Sequence, residues 1–121
     1  MLKEALIVGT GGFAGSALRY AVTSLMTHFS QAVAFPMGTL TVNAIGSLLI
    51  GLLLGACRPG GWYYLCVVGF CGGFTTFSTF SADLLAMLRS GDRTGGLLYA
   101  AGSIAVCLTC VWLGSLLTTK Q

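Results

Sequence analysis

The sequence predicts an all-α integral membrane protein of four transmembrane helices, on three observations. Only 7% of the 121 residues are charged, while 55% are hydrophobic. Soluble domains carry about 25% charged residues, so nine formal charges cannot cover a water-facing surface of this size. Apolar runs recur four times, over residues 5–26, 34–56, 62–88 and 94–117. Each reaches the roughly 20 residues that a helix needs to cross a bilayer. The connections collect the breakers and charges: His28 to Pro36, then Arg58-Pro59-Gly60-Gly61, then Arg89-Ser90-Gly91-Asp92-Arg93.

Together the four runs leave room only for loops, so residues 1–121 are read as one four-helix domain. The mean hydropathy of +0.89 agrees. The first run continues into a full span with no A-x-A site behind it, unlike a cleaved signal peptide. Trp62, Tyr63, Tyr64 and Tyr99 are expected near span ends, where amphipathic aromatics favour the interface. There are 18 glycines, many at small-xxx-small spacing: Gly11 with Gly15, Gly12 with Ser16, Gly51 with Gly55, Gly69 with Gly73. That spacing lets helix backbones approach closely in lipid. Four short helices enclose little, so a transport function favours an oligomer.

Orientation is evenly balanced. Four spans put both termini and the Arg58 loop on one side, with Lys3, Arg58 and Lys120. The other side carries Arg89 and Arg93, with Arg19 near it. Lys and Arg, not Asp and Glu, set orientation. Charge alone therefore leaves two readings open. One is insertion both ways, forming an antiparallel dimer; the other is a single orientation set weakly by Lys3 and Arg58.

Several chemistries are excluded. Gly9-Thr-Gly11-Gly12-Phe13-Ala14 satisfies a dinucleotide-binding pattern, but no acidic residue lies between Glu4 and Asp83, where that fold needs one. Cys57, Cys66, Cys71, Cys107 and Cys110 read as small packing residues. His28 is a lone loop histidine. No base, nucleophile or metal cluster suggests an enzyme. A net charge of +3, scattered along the chain, does not suggest nucleic acid.

Polar residues inside spans are costly in hydrocarbon and face a bundle interior or a pathway. Thr39, Asn43 and Ser47 recur every four residues, one stripe of the second helix. Asn43 has an amide that can donate to an anion. Arg19 lies inside the first span, where it snorkels or raises anion occupancy at a pathway mouth. The densest signal is Gly69-Phe-Cys-Gly72-Gly-Phe-Thr75-Thr-Phe77-Ser78-Thr79-Phe80-Ser81. Paired glycines and hydroxyl residues weaken a helix locally. A break at membrane depth survives only where protein or a cavity satisfies the backbone. Its freed carbonyls can bind a cation and its hydroxyls can donate to an anion. Phe77 and Phe80, at i and i+3, present two rings on one face. Ring edges are positive and ring faces negative, so edges beside hydroxyls suit a small anion. Ordinary aromatic packing, with each Ser and Thr bonded back to its helix, is the alternative.

Gly72-Gly-Phe-Thr-Thr-Phe-Ser-Thr-Phe80 resembles the third-helix signature of the CrcB/Fluc family of fluoride channels. Gly38-Thr-Leu-Thr-Val-Asn43-Ala-Ile-Gly46 resembles that family's second-helix motif, and Gly11-Gly-Phe-Ala-Gly15-Ser-Ala-Leu-Arg19-Tyr20 its first. The resemblance implies passive fluoride export through an antiparallel, dual-topology homodimer in a bacterial inner membrane, with the third helix broken mid-membrane. It also implies a structural sodium ion at the dimer centre, held by backbone carbonyls of Gly72 and Thr75 from both subunits. Phe77 and Phe80 match the family's pore phenylalanines, and Asn43 its pore asparagine. Ser78, Thr79, Ser81 and Thr39 match its polar lining, with Ser103 a further candidate on the fourth helix. Arg19 matches the first-helix arginine. Asp83 stands where the family often carries Glu. The competing reading is a small dual-topology exporter of cationic compounds. Such exporters depend on a carboxylate embedded in the first helix, and this chain has only Glu4, at its very start.

Overall fold

The computed structural model describes residues 1–118, and every described element is helical. Lys120, one of the charges assigned to the side of the termini, lies outside the described residues. Helix α1 spans Leu2–Leu25. A short helix α2, Thr27–Val33, continues almost without interruption. Helix α3 spans Met37–Ala56. Helix α4 joins a π-helical stretch, Tyr63–Cys71, to one α-turn, Gly72–Phe74. Helix α5 spans Phe77–Arg89 and α6 spans Arg93–Thr118.

Four candidate spans are long and apolar enough to cross a membrane: Leu2–Leu25, Met37–Ala56, Tyr63–Arg89 and Arg93–Thr118. Large apolar side chains such as Phe13, Leu97, Leu108 and Leu117 point outward along them. That surface is insoluble in water and is the ordinary exterior of a helix in lipid. The chain is a multi-pass membrane protein.

The structure corrects two sequence expectations here. Residues 27–33, expected to be a connection, form α2. Residues 34–36, expected to belong to the second span, lie outside α3. Ala34 takes a left-handed conformation (φ 53°) that ends α2. Pro36 has no N–H and restricts the residue before it, so it serves as the boundary from which α3 starts.

Helix pairing follows the glycines. Helix α1 lies along α4, and α3 along α6. A side chain at Gly11 would overlap the Leu65 carbonyl, and one at Gly15 the Phe70 carbonyl. From the opposite side, a Cβ at Gly73 would stand 2.6 Å from the Gly12 carbonyl. At the other crossing, a side chain at Gly51 would collide with the Val111 carbonyl. Lipid supplies no hydrophobic drive between helices, so close backbone contact of this kind is what holds them. The buried apolar centre is small: Val42 on α3, Val67, Cys71 and Phe74 on α4, Phe80 on α5, and Tyr99 on α6.

Candidate functional site

Between α4 and α5 the backbone leaves helical geometry for two residues. Thr75 has φ −83° and ψ 158°; Thr76 has φ −151° and ψ 118°. The sequence explains why it happens there. Gly72 and Gly73 have poor helix propensity, and Thr76 is a good N-cap for α5. The Thr76 hydroxyl accepts from the Thr79 N–H at 3.1 Å, capping that helix. It also donates to Thr79 Oγ1 at 3.1 Å and lies 3.3 Å from Ser78 Oγ.

The Thr76 peptide groups are held from α3. Asn43 Oδ1 accepts the Thr76 N–H at 2.8 Å, and Asn43 Nδ2 donates to the Thr76 carbonyl at 3.0 Å. This pairing fixes the amide's orientation and uses one of its two N–H donors. Thr75 donates its hydroxyl to the Cys71 carbonyl at 2.9 Å, closing the end of α4.

A cavity of about 260 Å³ opens against this interruption, lined among others by Asn43, Ser47, Thr75, Phe77, Phe80 and Ser103. The Phe77 and Phe80 ring centroids lie 5.6 Å apart. Phe77 is 78% exposed, whereas Phe80 is 9% exposed. Ser103, on α6, is only 6% exposed, and its hydroxyl has no hydrogen-bond partner. An unpaired buried hydroxyl costs about 1–3 kcal/mol. In the wall of a cavity it is a donor with nothing yet to donate to.

The other candidates fall elsewhere. Ser78 and Thr79 join the Thr76 hydroxyl network, and Ser81 donates to the Phe77 carbonyl at 3.0 Å. Thr39 donates to Asp83 Oδ2 at 2.8 Å and lines a second cavity of about 420 Å³. Asp83, Ser30 and Gln31 share that second cavity. Arg19 is half-buried on α1 and lines neither cavity.

Tyr99 corrects a further expectation. Its position in the sequence suggests the interface, but it lies six residues into α6, about 9 Å along the helix, and is 1% exposed. Its hydroxyl donates to Asp83 Oδ2 at 3.1 Å. The ring stands edge-on to Phe35 at 5.4 Å and tilted against Phe80 at 5.0 Å. Tyr99 therefore touches one wall residue of each cavity, Phe80 of the first and Asp83 of the second. Sequence reasoning missed this role. The available signal was its hydroxyl, which a buried tyrosine must pair, with Asp83 as a carboxylate on the preceding span.

Could the Gly72 and Thr75 carbonyls hold a cation? In an α-helix the N–H of residue i bonds the carbonyl of residue i−4. The N–H due to Gly72 is that of Thr76, and it goes to Asn43. The N–H due to Thr75 is that of Thr79, and it goes to the Thr76 hydroxyl. Both carbonyls are thus released from their α-helical partners. Gly72 is exposed, with nothing within 4 Å of where a side chain would stand. Carbonyl oxygens suit a hard cation. Among the described residues no cluster of His, Cys, Asp or Glu offers a different metal site.

These features define a small multi-pass membrane protein with a cluster of polar side chains beside a helix interruption. Residues 6–115 match the family described as CrcB-like protein, Camphor Resistance (CrcB), and the chain belongs to that family. It is 42% identical to a fluoride-specific ion channel FluC of Chlorobaculum tepidum, over 97% of this chain and 95% of the relative. A protein of the same name from Paramagnetospirillum magneticum is 40% identical, over 98% and 97% of the two chains. Another, from Ruminiclostridium cellulolyticum, is 42% identical over 91% and 88%.

Proposed function

We propose that this chain is the subunit of a passive, fluoride-selective channel in a bacterial inner membrane, working as an antiparallel, dual-topology homodimer. The names of its relatives support fluoride as the ion. The observation that carries the reading is the convergence of Asn43, Phe77, Phe80 and Ser103 on one cavity, with the Ser103 hydroxyl buried and unpaired. Fluoride is small and strongly hydrated. A pathway must replace its water with close donors without trapping it. Hydroxyls, the second amide N–H of Asn43 and the positive ring edges of Phe77 and Phe80 can do this with no full positive charge in the cavity wall. Thr39, Ser78, Thr79 and Ser81 extend the polar lining, and Arg19 raises anion occupancy near a mouth.

The helix interruption lies at membrane depth in this reading, where irregular backbone is tolerated only if protein or a cavity satisfies it. The released Gly72 and Thr75 carbonyls would hold a structural sodium ion, which would supply positive charge shared with the same carbonyls of a second subunit. The exposure of Gly72 and Phe77 supports a second copy facing this side of the bundle. The near-even Lys and Arg tally supports insertion in both directions.

Ion efflux from liposomes holding the purified protein tests this reading. Fluoride should leave down its gradient without ATP or a proton gradient, and chloride should not accompany it. Equal fluoride and chloride rates would reject the assignment.

A further inference from the structure

We propose that α3 positions the cation-binding carbonyls through two residues, Asn43 and Gly46, so that each is a positioning residue for the ion. The inference rests on the reading that Gly72 and Thr75 supply sodium ligands. Asn43 stands out in the sequence for its amide donor, and it lines the cavity. Its acceptor has a second consequence.

A continuous helix through residues 72–80 would consume both carbonyls. The Thr76 N–H would close onto Gly72, and the Thr79 N–H onto Thr75. Asn43 Oδ1 prevents the first by taking the Thr76 N–H at 2.8 Å. Asn43 Nδ2 then holds the Thr76 carbonyl at 3.0 Å, so the peptide groups on both sides of Thr76 are fixed to α3. With Thr76 held there, its hydroxyl caps Thr79 and releases the second carbonyl. One asparagine thus accounts for the freedom of two backbone oxygens, directly for Gly72 and through Thr76 for Thr75.

Gly46 supports the same segment one turn further along α3. Thr75 has its rotamer set by its hydroxyl, which donates to the Cys71 carbonyl at 2.9 Å. That bond directs the Thr75 methyl into α3, where it occupies the space of the missing Gly46 side chain. A Cβ at Gly46 would overlap Thr75 Cγ2 and stand 3.3 Å from the Phe74 ring. Gly46 is buried, so no neighbouring solvent space is available for relief. The threonine therefore divides its functions: the hydroxyl ends α4, and the methyl fits the α3 surface that places its own carbonyl.

The test is sodium binding, read as the rise of the thermal unfolding midpoint of the purified dimer as sodium replaces N-methylglucamine. The wild-type midpoint should rise with sodium. Asn43→Leu removes both bonds to Thr76 and lets the Gly72 carbonyl regain its helical partner. Its half-saturating sodium concentration should rise by about tenfold or more, the usual cost of losing a residue that orients a metal ligand. Gly46→Ala should act in the same direction, and Gly46→Ala/Thr75→Ser, which removes the obstructing methyl and keeps the hydroxyl, should return towards wild type. Should Asn43→Leu fail to assemble, the Gly46→Ala variant and its rescue decide the question. A wild-type dimer indifferent to sodium would overturn the sodium reading and this inference with it. A sodium-responsive wild type, with Asn43→Leu or Gly46→Ala responding identically, would overturn this inference alone.

Discussion

Tyr99 on α6 donates its hydroxyl to the carboxylate of Asp83 on α5 at 3.1 Å, and the same oxygen accepts from Thr39 on α3 at 2.8 Å. Three helices are tied at one acidic oxygen. A carboxylate inside a membrane bundle is expensive unless its hydrogen bonds are made. The pair of hydroxyls is what makes Asp83 tolerable there.

Tyr99→Phe should therefore destabilise the folded protein by about 1–3 kcal/mol, the cost of removing one donor from a half-buried carboxylate. Thr39→Val should cost a similar amount. Because both bonds end on one oxygen, the double variant should not show the sum of the two effects. Thermal or denaturant unfolding of the four proteins in one detergent measures this. Strict additivity would mean that the shared oxygen does not couple the two hydroxyls.

Ser103→Ala should separate stability from function. The Ser103 hydroxyl makes no hydrogen bond in the folded chain. Its removal loses no bond and relieves a buried polar group, so the variant should be as stable as wild type or more stable by up to about 1 kcal/mol. Fluoride efflux per folded protein should nevertheless fall, since a donor in the cavity wall is gone. Unchanged efflux would remove Ser103 from the pathway.

Phe77→Ile and Phe80→Ile test the ring edges. Both keep much of the volume and apolarity and remove the aromatic quadrupole. Buried Phe80 should lose some stability, typically under about 1.5 kcal/mol for a conservative apolar exchange, and exposed Phe77 little. Efflux should nevertheless drop steeply in each while the protein still elutes as the wild type does. Methionine is the informative control, because its polarizable sulfur partly replaces a ring. Near-normal fluoride efflux from a folded Phe77→Ile/Phe80→Ile double variant would show that the rings only pack.

Insertion in both directions can be read from the loop after α3. Gly61 is exposed, with nothing within 4 Å of a side chain placed there. With the five native cysteines replaced by alanine, Gly61→Cys in intact cells should react with an impermeant maleimide in about half of the molecules, as the balanced charges imply. Adding two lysines to this loop should bias insertion and lower activity. Co-expression of an oppositely biased partner should restore it. Labelling of all molecules, or of none, would establish a single orientation.

The four spans are legible in the chain because they depend on local composition. Whether a run of 20 residues partitions into lipid depends on those residues alone, and Gly72-Gly73 with the adjoining threonines weakens helix wherever it stands. The convergence of Asn43, Phe77 and Phe80 is accessible through the family motifs. Burial is not accessible. Lipid tails are as apolar as leucine, so hydropathy does not separate a lipid-facing side from a protein-facing one. That is why Tyr99 resembles an interfacial aromatic in the sequence, whereas α6 turns it onto Asp83, and why the burial of the unpartnered Ser103 hydroxyl is visible only in the folded chain. Asn43 belongs to both levels. Its presence in a span marks it as facing a bundle interior or a pathway, but which of its atoms are occupied depends on a peptide 33 residues away, brought within 2.8 Å by the packing of α3 against the neighbouring segment.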